Sequence, residues 1–345
     1  MSRIEAIDLF CGAGGLTHGL IQSGVQVRVG YDIDECCRYP YEVNNQAVFE
    51  LQSVTDLTGK QLAKWYTPGA IRLLAGCAPC QPFSTLAKAD KIDVEKWNLL
   101  FQFGRLVKEL QPELVTMENV PGVIHHAPFQ EFKRTLIKLG YHVDSKVVRC
   151  ADYGVPQERK RYVLIASKLG PIEIDSAEKY TKHTVRSAIA NLPSLESGEQ
   201  CKKDRLHHAR RLSVLNLKRI KASTPGGTWQ DWPKSLRSPC HNTERGASFK
   251  SVYARMSWDK AAPTMTTQFY NFGTGRFGHP EQNRAITLRE AAILQSFPED
   301  YLFVPPEEPV RFEPVGRMIG NAVPPKLGYV IGKTFKKHLR LQHGS

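Results

Sequence analysis

An alternation running from residue 4 to about 168 constrains the fold most. Short apolar segments over 6–10, 25–31, 71–75, 114–117 and 162–166 are separated by stretches of helical character. Near-continuous apolar runs suit strands buried on both faces, and a repeated β-α-β succession makes the sheet mostly parallel and doubly wound beneath helices. The expected class is therefore α/β. In such sheets ligands and chemistry gather at the carboxyl ends of the strands.

The pattern breaks between 169 and 283 into short segments rich in Pro, Gly and Ser, with helical periodicity only over 205–222. A helix over 287–295 follows, with Thr287 as N-cap and Glu290 as its box partner. The reading is two domains: 1–168 with 284–345, and a smaller irregular insert over 169–283. Charge follows the same division. The net charge is +13, and residues 201–260 hold fourteen Lys or Arg against four Asp or Glu, a surplus of ten. Trp229, Trp232, Phe249, Tyr253 and Trp258 lie within this window. Cations interleaved with aromatics suggest a polyanion surface with stacking positions. No apolar run approaches the roughly 18 residues of a membrane span, and Glu5 and Asp8 interrupt any leader-like core. Eight scattered cysteines fit free thiols in a reducing compartment, so a cytoplasmic protein is expected.

Three strand ends carry candidate chemistry. The first apolar segment runs into Asp8-Leu9-Phe10-Cys11-Gly12-Ala13-Gly14-Gly15 before a helix from about Leu16. Thr17 replaces the third glycine of a dinucleotide fingerprint, which disfavours NAD. Asp32 lies twenty residues after Gly12, where a carboxylate grips ribose hydroxyls. The segment 71–75 leads into Gly76-Cys77-Ala78-Pro79-Cys80-Gln81-Pro82-Phe83-Ser84, which places the Cys80 thiol at a strand's carboxyl end. Alone, this C-x-x-C admits half a zinc site, a redox pair or a nucleophile. Zinc falls behind because the other cysteines supply no second C-x-x-C, while the redox pair stays open. The segment 114–117 delivers Glu118-Asn119-Val120-Pro121-Gly122 to the same edge. Finally, Gln157, Arg159 and Arg161 would share one face by strand alternation.

Taken together, these strings resemble a DNA (cytosine-5) methyltransferase of the bacterial type. Asp8 to Gly15 resembles the family's cofactor turn, Pro79-Cys80-Gln81 its nucleophile loop, and Glu118-Asn119-Val120 and Gln157-x-Arg159-x-Arg161 two further catalytic motifs. Leu288-Arg289-Glu290-Ala291-Ala292 with Leu294-Gln295-Ser296-Phe297-Pro298, and Gly320-Asn321-Ala322-Val323-Pro324-Pro325, resemble its last two motifs. The six strings stand in family order over almost the whole chain.

The resemblance implies a Rossmann-like catalytic domain built from both chain ends, with an inserted target-recognition domain. It implies methyl transfer from S-adenosylmethionine to C5 of a flipped cytosine in a specific duplex sequence. Cys80 would add to C6, Glu118 would contact N3, Arg161 would hold O2, and Arg159 would support the loop and intermediate. Phe10, Cys11, Gly12, Gly14 and Gly15 would surround the methionine part, Asp32 the ribose and Ile33 the adenine face. Pro79, Leu99, Asn321 and Val323 would complete the cofactor pocket. Ser53 and Val54 stand where the family often has an acidic adenine contact, with Asp56 the alternative in a shifted register. Gln81, Ser84, Lys88, Gln157, Trp229, Arg237, Arg245 and Arg276 are the implied DNA contacts, with 81–98 as a loop closing over the base. No metal is implied. The chain would be a monomer acting on double-stranded DNA at the nucleoid, with a cognate restriction endonuclease in the same system. A transfer-RNA cytosine methyltransferase and an inactive DNA-binding paralogue are the alternatives.

Overall fold

The computed structural model describes residues 3–79 and 94–343. It divides into two compact units, one of Met1–Tyr153, Lys160–Tyr180 and Ala322–Ser345, the other of Gly154–Arg159 and Thr181–Asn321.

The first unit is built on a seven-stranded sheet: β1 (Ile4–Leu9), β2 (Gln26–Asp32), β3 (Val48–Leu51), β4 (Ile71–Gly76), β5 (Leu114–Asn119), β6 (His142–Arg149) and β7 (Lys160–Ser167), in the order β3-β2-β1-β4-β5-β7-β6. β1 to β5 are parallel, and β7 runs antiparallel to both β5 and β6. Every residue of β1 and β5 is buried, so apolar residues occupy both faces of each strand rather than alternating with exposed ones. The chain winds outward through β2 and β3, then crosses back to β4 beside β1. That reversal puts the carboxyl ends of β1 and β4 side by side, with Leu9 registered against Gly76. Open α/β sheets bind ligands at such a crevice.

Helix Pro325–His343 packs against helix Gly15–Gln22, so the end of the chain joins its beginning. The approach is close enough that a Cβ on Gly19 would collide with the Pro325 carbonyl, and one on Gly328 would press the Leu16 carbonyl. None of the described helices is long and apolar enough to cross a membrane.

The second unit has little regular structure. Its small core gathers Ile220, Trp229, Trp232, Phe272 and Ala285, and His241 stacks on Trp229 at 4.0 Å. Arg255 is buried and ties the surrounding turns together. Its guanidinium donates to the carbonyls of Ile220, Ser223, His279 and Gln282 and to Asn283 Oδ1. The helix expected over 205–222 is confined to Val214–Lys221, because Ser213 caps it and Arg205 is drawn away to the carbonyls of Pro305 and Pro306.

Residues 284–321, expected with the first domain, group with the second unit. Arg284 forms a buried pair with Glu290 at 2.7 Å, and Arg289 donates to Asp204 at 2.6 Å. Gly154–Arg159, also expected with the first domain, join the second unit, whereas residues 169–180 stay with the first, where Ile174 N–H donates to Asp144 and Lys337 pairs with Asp175.

His279 makes the second unit acid-sensitive. Its Nδ1 accepts from the backbone N–H groups of Glu281 and Gln282, while Nε2 faces Glu290 at 3.7 Å. Burial pushes its pKa down from 6.5 to about 4, with Arg284, Arg255 and His207 adding to the shift and Glu290 opposing it. Protonating Nδ1 would also set a donor against two donors. The folded state therefore favours neutral His279, and its contribution is complete above about pH 6.5 and lost as pH falls toward 4. The shift corresponds to about 3 kcal/mol. Urea unfolding at pH 7 and pH 4.5 is expected to show a smaller acid loss in His279→Gln than in wild type; equal losses would contradict this role.

Candidate active site

The turn after β1 is shaped for close approach. Phe10 (φ 59°), Gly12 (φ 50°) and Gly14 (φ 88°) all take left-handed backbone conformations, which glycine adopts freely and Phe10 does not. A Cβ on Gly12 would meet no atom within 4 Å, so the turn borders open space. Asp32, at the end of β2, accepts Gly12 N–H on Oδ2 at 2.8 Å, and the N–H groups of Ile33 and Asp34 on Oδ1. Burial raises its pKa against these three hydrogen bonds. Beside it Ile33 is 74% exposed, and Leu51, registered against Asp32, is also exposed. A carboxylate beside bare apolar side chains fits ribose hydroxyls and a base face.

Beneath the turn, Thr17 donates to Asp8 Oδ2 at 2.7 Å and meets Tyr41 Oη at 3.0 Å. Asp8 Oδ1 is buried without a hydrogen-bond partner, and burial pushes the carboxyl up to about 7. Thr17 thus fills the third-glycine position by anchoring a carboxyl group. Cys11 is buried, and burial raises its thiol well above the ordinary range. Ser53 is spent within its own turn, where its hydroxyl caps Thr55 N–H and meets Thr55 Oγ1 at 2.7 Å. Asp56 accepts from Thr55 Oγ1, while Val54 is buried. Pro79, Leu99 and Gly15 belong to the first unit, as does buried Val323, whereas exposed Asn321 ends helix Phe312–Asn321 in the second.

The ends of β4, β5 and β7 bring further groups together. Glu118 is 2% exposed, and its Oε1 lies 2.8 Å from Arg161 Nε. That N–H is not aimed along the contact, so Oε1 is charge-compensated but lacks an aligned hydrogen bond. The other oxygen accepts from Cys77 Sγ at 2.9 Å. Asn119, also buried, donates to the Ala78 carbonyl at 3.1 Å and thereby anchors the chain two residues before Cys80. In the sequence Cys77 stands out only as half of the C-x-x-C and Asn119 only as part of the Glu118-Asn119-Val120 string; neither is marked there as a partner of this site. Cys80, Gln81, Ser84 and Lys88 lie outside the described residues, as do residues 81–93 of the expected closing loop 81–98, the side chains of its residues 94–98 and the side chain of Arg245.

Several expected placements are corrected. Gln157, Arg159 and Arg161 do not share a strand face, because β7 begins at Lys160. Gln157 is wholly buried in the second unit and its amide is committed to Leu294 O, Gln295 and Met265 N–H, so it is not presented as a DNA contact. Arg159 is buried too, donating to the carbonyls of Met265 and Gly320, and its role there is to hold loops. Trp229 is a core residue, with Arg237 over its ring at 5.9 Å and donating to Gln230 O. Arg276 is half-buried and bonded to the Gly227 and Arg255 carbonyls. Exposed cations of this window include Arg210, Arg211, Lys218, Lys221, Lys234 and Lys250.

A glycine turn at the switch point of an α/β sheet, with a buried carboxylate–guanidinium pair at a neighbouring strand end, places polar and charged groups where open α/β sheets bind their ligands. The family model of C-5 cytosine-specific DNA methylases matches residues 4–337. The chain belongs to that family and is a DNA (cytosine-5) methyltransferase. It is 49% identical to the Type II methylase M.HgiDII of Herpetosiphon aurantiacus, over 98% of this chain and 96% of that one. Identity to the Type II methyltransferase M1.BsuMI of Bacillus subtilis is 33%, over 95% and 79%. A crystal structure described as a DNA modification methyltransferase encoded within an E. coli prophage shares the fold, with a TM-score of 0.73 at 24% identity, over 98% of this chain and 99% of that one.

Proposed function

We propose that the protein methylates C5 of a flipped cytosine in a specific duplex sequence, as the modification enzyme of a Type II restriction-modification system. The observation that carries the reading is the trio of strand ends: Arg161 against Glu118, and Asn119 holding the chain that leads into Cys80. The Cys80 thiolate adds to cytosine C6 and makes C5 nucleophilic. Glu118, taking up a proton as the cytosine binds, donates it in a hydrogen bond to N3 and so offsets negative charge developing on the ring. Arg161 donates one Nη1 bond to Lys160 O and has no other described hydrogen-bond partner, so the guanidinium retains donors for O2. After methylation the C5 proton leaves and Cys80 departs, giving 5-methylcytosine.

S-adenosylmethionine, when bound, supplies an electrophilic methyl group. Phe10 to Gly15 would receive its methionine part, Asp32 its ribose and Ile33 its adenine. With Ser53 engaged in its own turn, adenine recognition rests on apolar contact rather than a carboxylate. The first unit is the catalytic and cofactor domain, and the second, with its exposed cations, is the target-recognition domain. Those cations contact phosphates and help offset the few kcal/mol of unstacking that base flipping costs. The protein acts as a monomer, with a partner endonuclease cutting the same sequence when unmodified.

Bisulfite sequencing of DNA from cells expressing the protein tests the reading and identifies the target. Protected cytosines at one recurring sequence are expected. Conversion of every cytosine would refute it.

A further inference from the structure

Cys77 is a thiol that the reaction above leaves without a task. Its backbone N–H donates to Leu9 O, which locks it to β1, and its Sγ reaches Glu118 Oε2 at 2.9 Å. Arg161 engages the opposite oxygen from β7. Each carboxyl oxygen therefore has its own anchor, and the two anchors come from different strands. A glutamate side chain has several rotors, the last of them broad and loosely two-fold, so one anchor would leave the carboxyl plane free to turn. Two anchors fix it.

We propose that Cys77 is a positioning residue for Glu118: its thiol holds Oε2 in place until the cytosine edge takes over that oxygen. The inference rests on the role assigned to Glu118 above. A thiol suits the task because it is a weak donor, so an incoming base displaces it at little cost.

The test uses the full chain and duplex DNA carrying the target found by bisulfite sequencing. In the free protein, the infrared S–H band assigned to Cys77 by its loss in Cys77→Ala is expected to move to higher frequency in Glu118→Gln, as the acceptor loses its charge. In single-turnover methyl transfer, Cys77→Ala is expected to slow the reaction roughly tenfold without weakening DNA binding, and Cys77→Ser to restore most of the rate. In a Glu118→Gln background, Cys77→Ala is expected to add no further loss. A band unmoved by Glu118→Gln, a serine variant as slow as alanine, or losses that simply add would each overturn the proposal. If Glu118→Gln methylates as fast as wild type, the role of Glu118 fails first and this inference falls with it; with that variant slow, the other results bear on Cys77 alone.

Discussion

Cys80→Ser is expected to abolish methyl transfer, lowering the rate by a factor on the order of 10⁴ or more. A serine hydroxyl at neutral pH holds its proton far more tightly than a thiol and adds poorly to C6, while the change is small enough to leave the surrounding chain in place. Cys77→Ser in the same assay is expected to stay close to wild type. This contrast separates the nucleophile from the dithiol alternative that the C-x-x-C spacing leaves open, since a redox pair needs both sulfurs. Incorporation of labelled methyl groups into duplex DNA provides the measurement, with retained DNA binding as the control for folding. Equal damage from the two serine variants would sink the assignment of Cys80.

The second large effect concerns stability. Glu290 is buried, and it accepts two bonds from Arg284 and one from the Thr287 backbone N–H. Burial alone would raise its pKa, but Arg284, His279 and that N–H outweigh burial and hold it down to about 2. Replacing it with leucine strands a buried guanidinium and uncaps helix Leu288–Leu294. Such a broken pair costs about 3–5 kcal/mol. Removing both charges with Arg284→Met and Glu290→Leu is expected to recover part of that loss, since the desolvation of two ions disappears with them. Urea midpoints of the two single variants and the double variant decide it. A Glu290→Leu loss below about 1 kcal/mol would show that the pair does not organise the second unit.

The sheet was legible where burial made the sequence monotonous. β1, β2, β4, β5 and β7 announce themselves as apolar runs between turn residues. β3 and β6 do not, because both are edges: β3 has only four residues with Val48 and Leu51 exposed, and β6 mixes His142, Asp144, Ser145, Lys146 and Arg149 with three valines. The chemistry was legible for a related reason. Glu118 and Cys80 sit in contiguous strings at strand ends, whereas the bonds of Cys77 and Asn119 across strands leave no periodic trace. The basic, aromatic window misled in one respect. A stacking surface and a miniature core rimmed by cations share one composition, and only packing shows Trp229 beneath His241 and Arg237. The Gln157–Arg159 reading failed through register: a strand beginning at Lys160 offers no alternation before it.

The closure of the first unit by its last helix bears on how the enzyme is made. Helix Gly15–Gln22 is covered by helix Pro325–His343, so a ribosome must add about 300 residues before the early segment meets its cover. At roughly 5–20 residues per second, the nascent sheet waits about 15–60 seconds with that flank bare. A product ending just before Pro325 would carry every residue named for the reaction and still lack the helix that covers the layer beside the glycine turn.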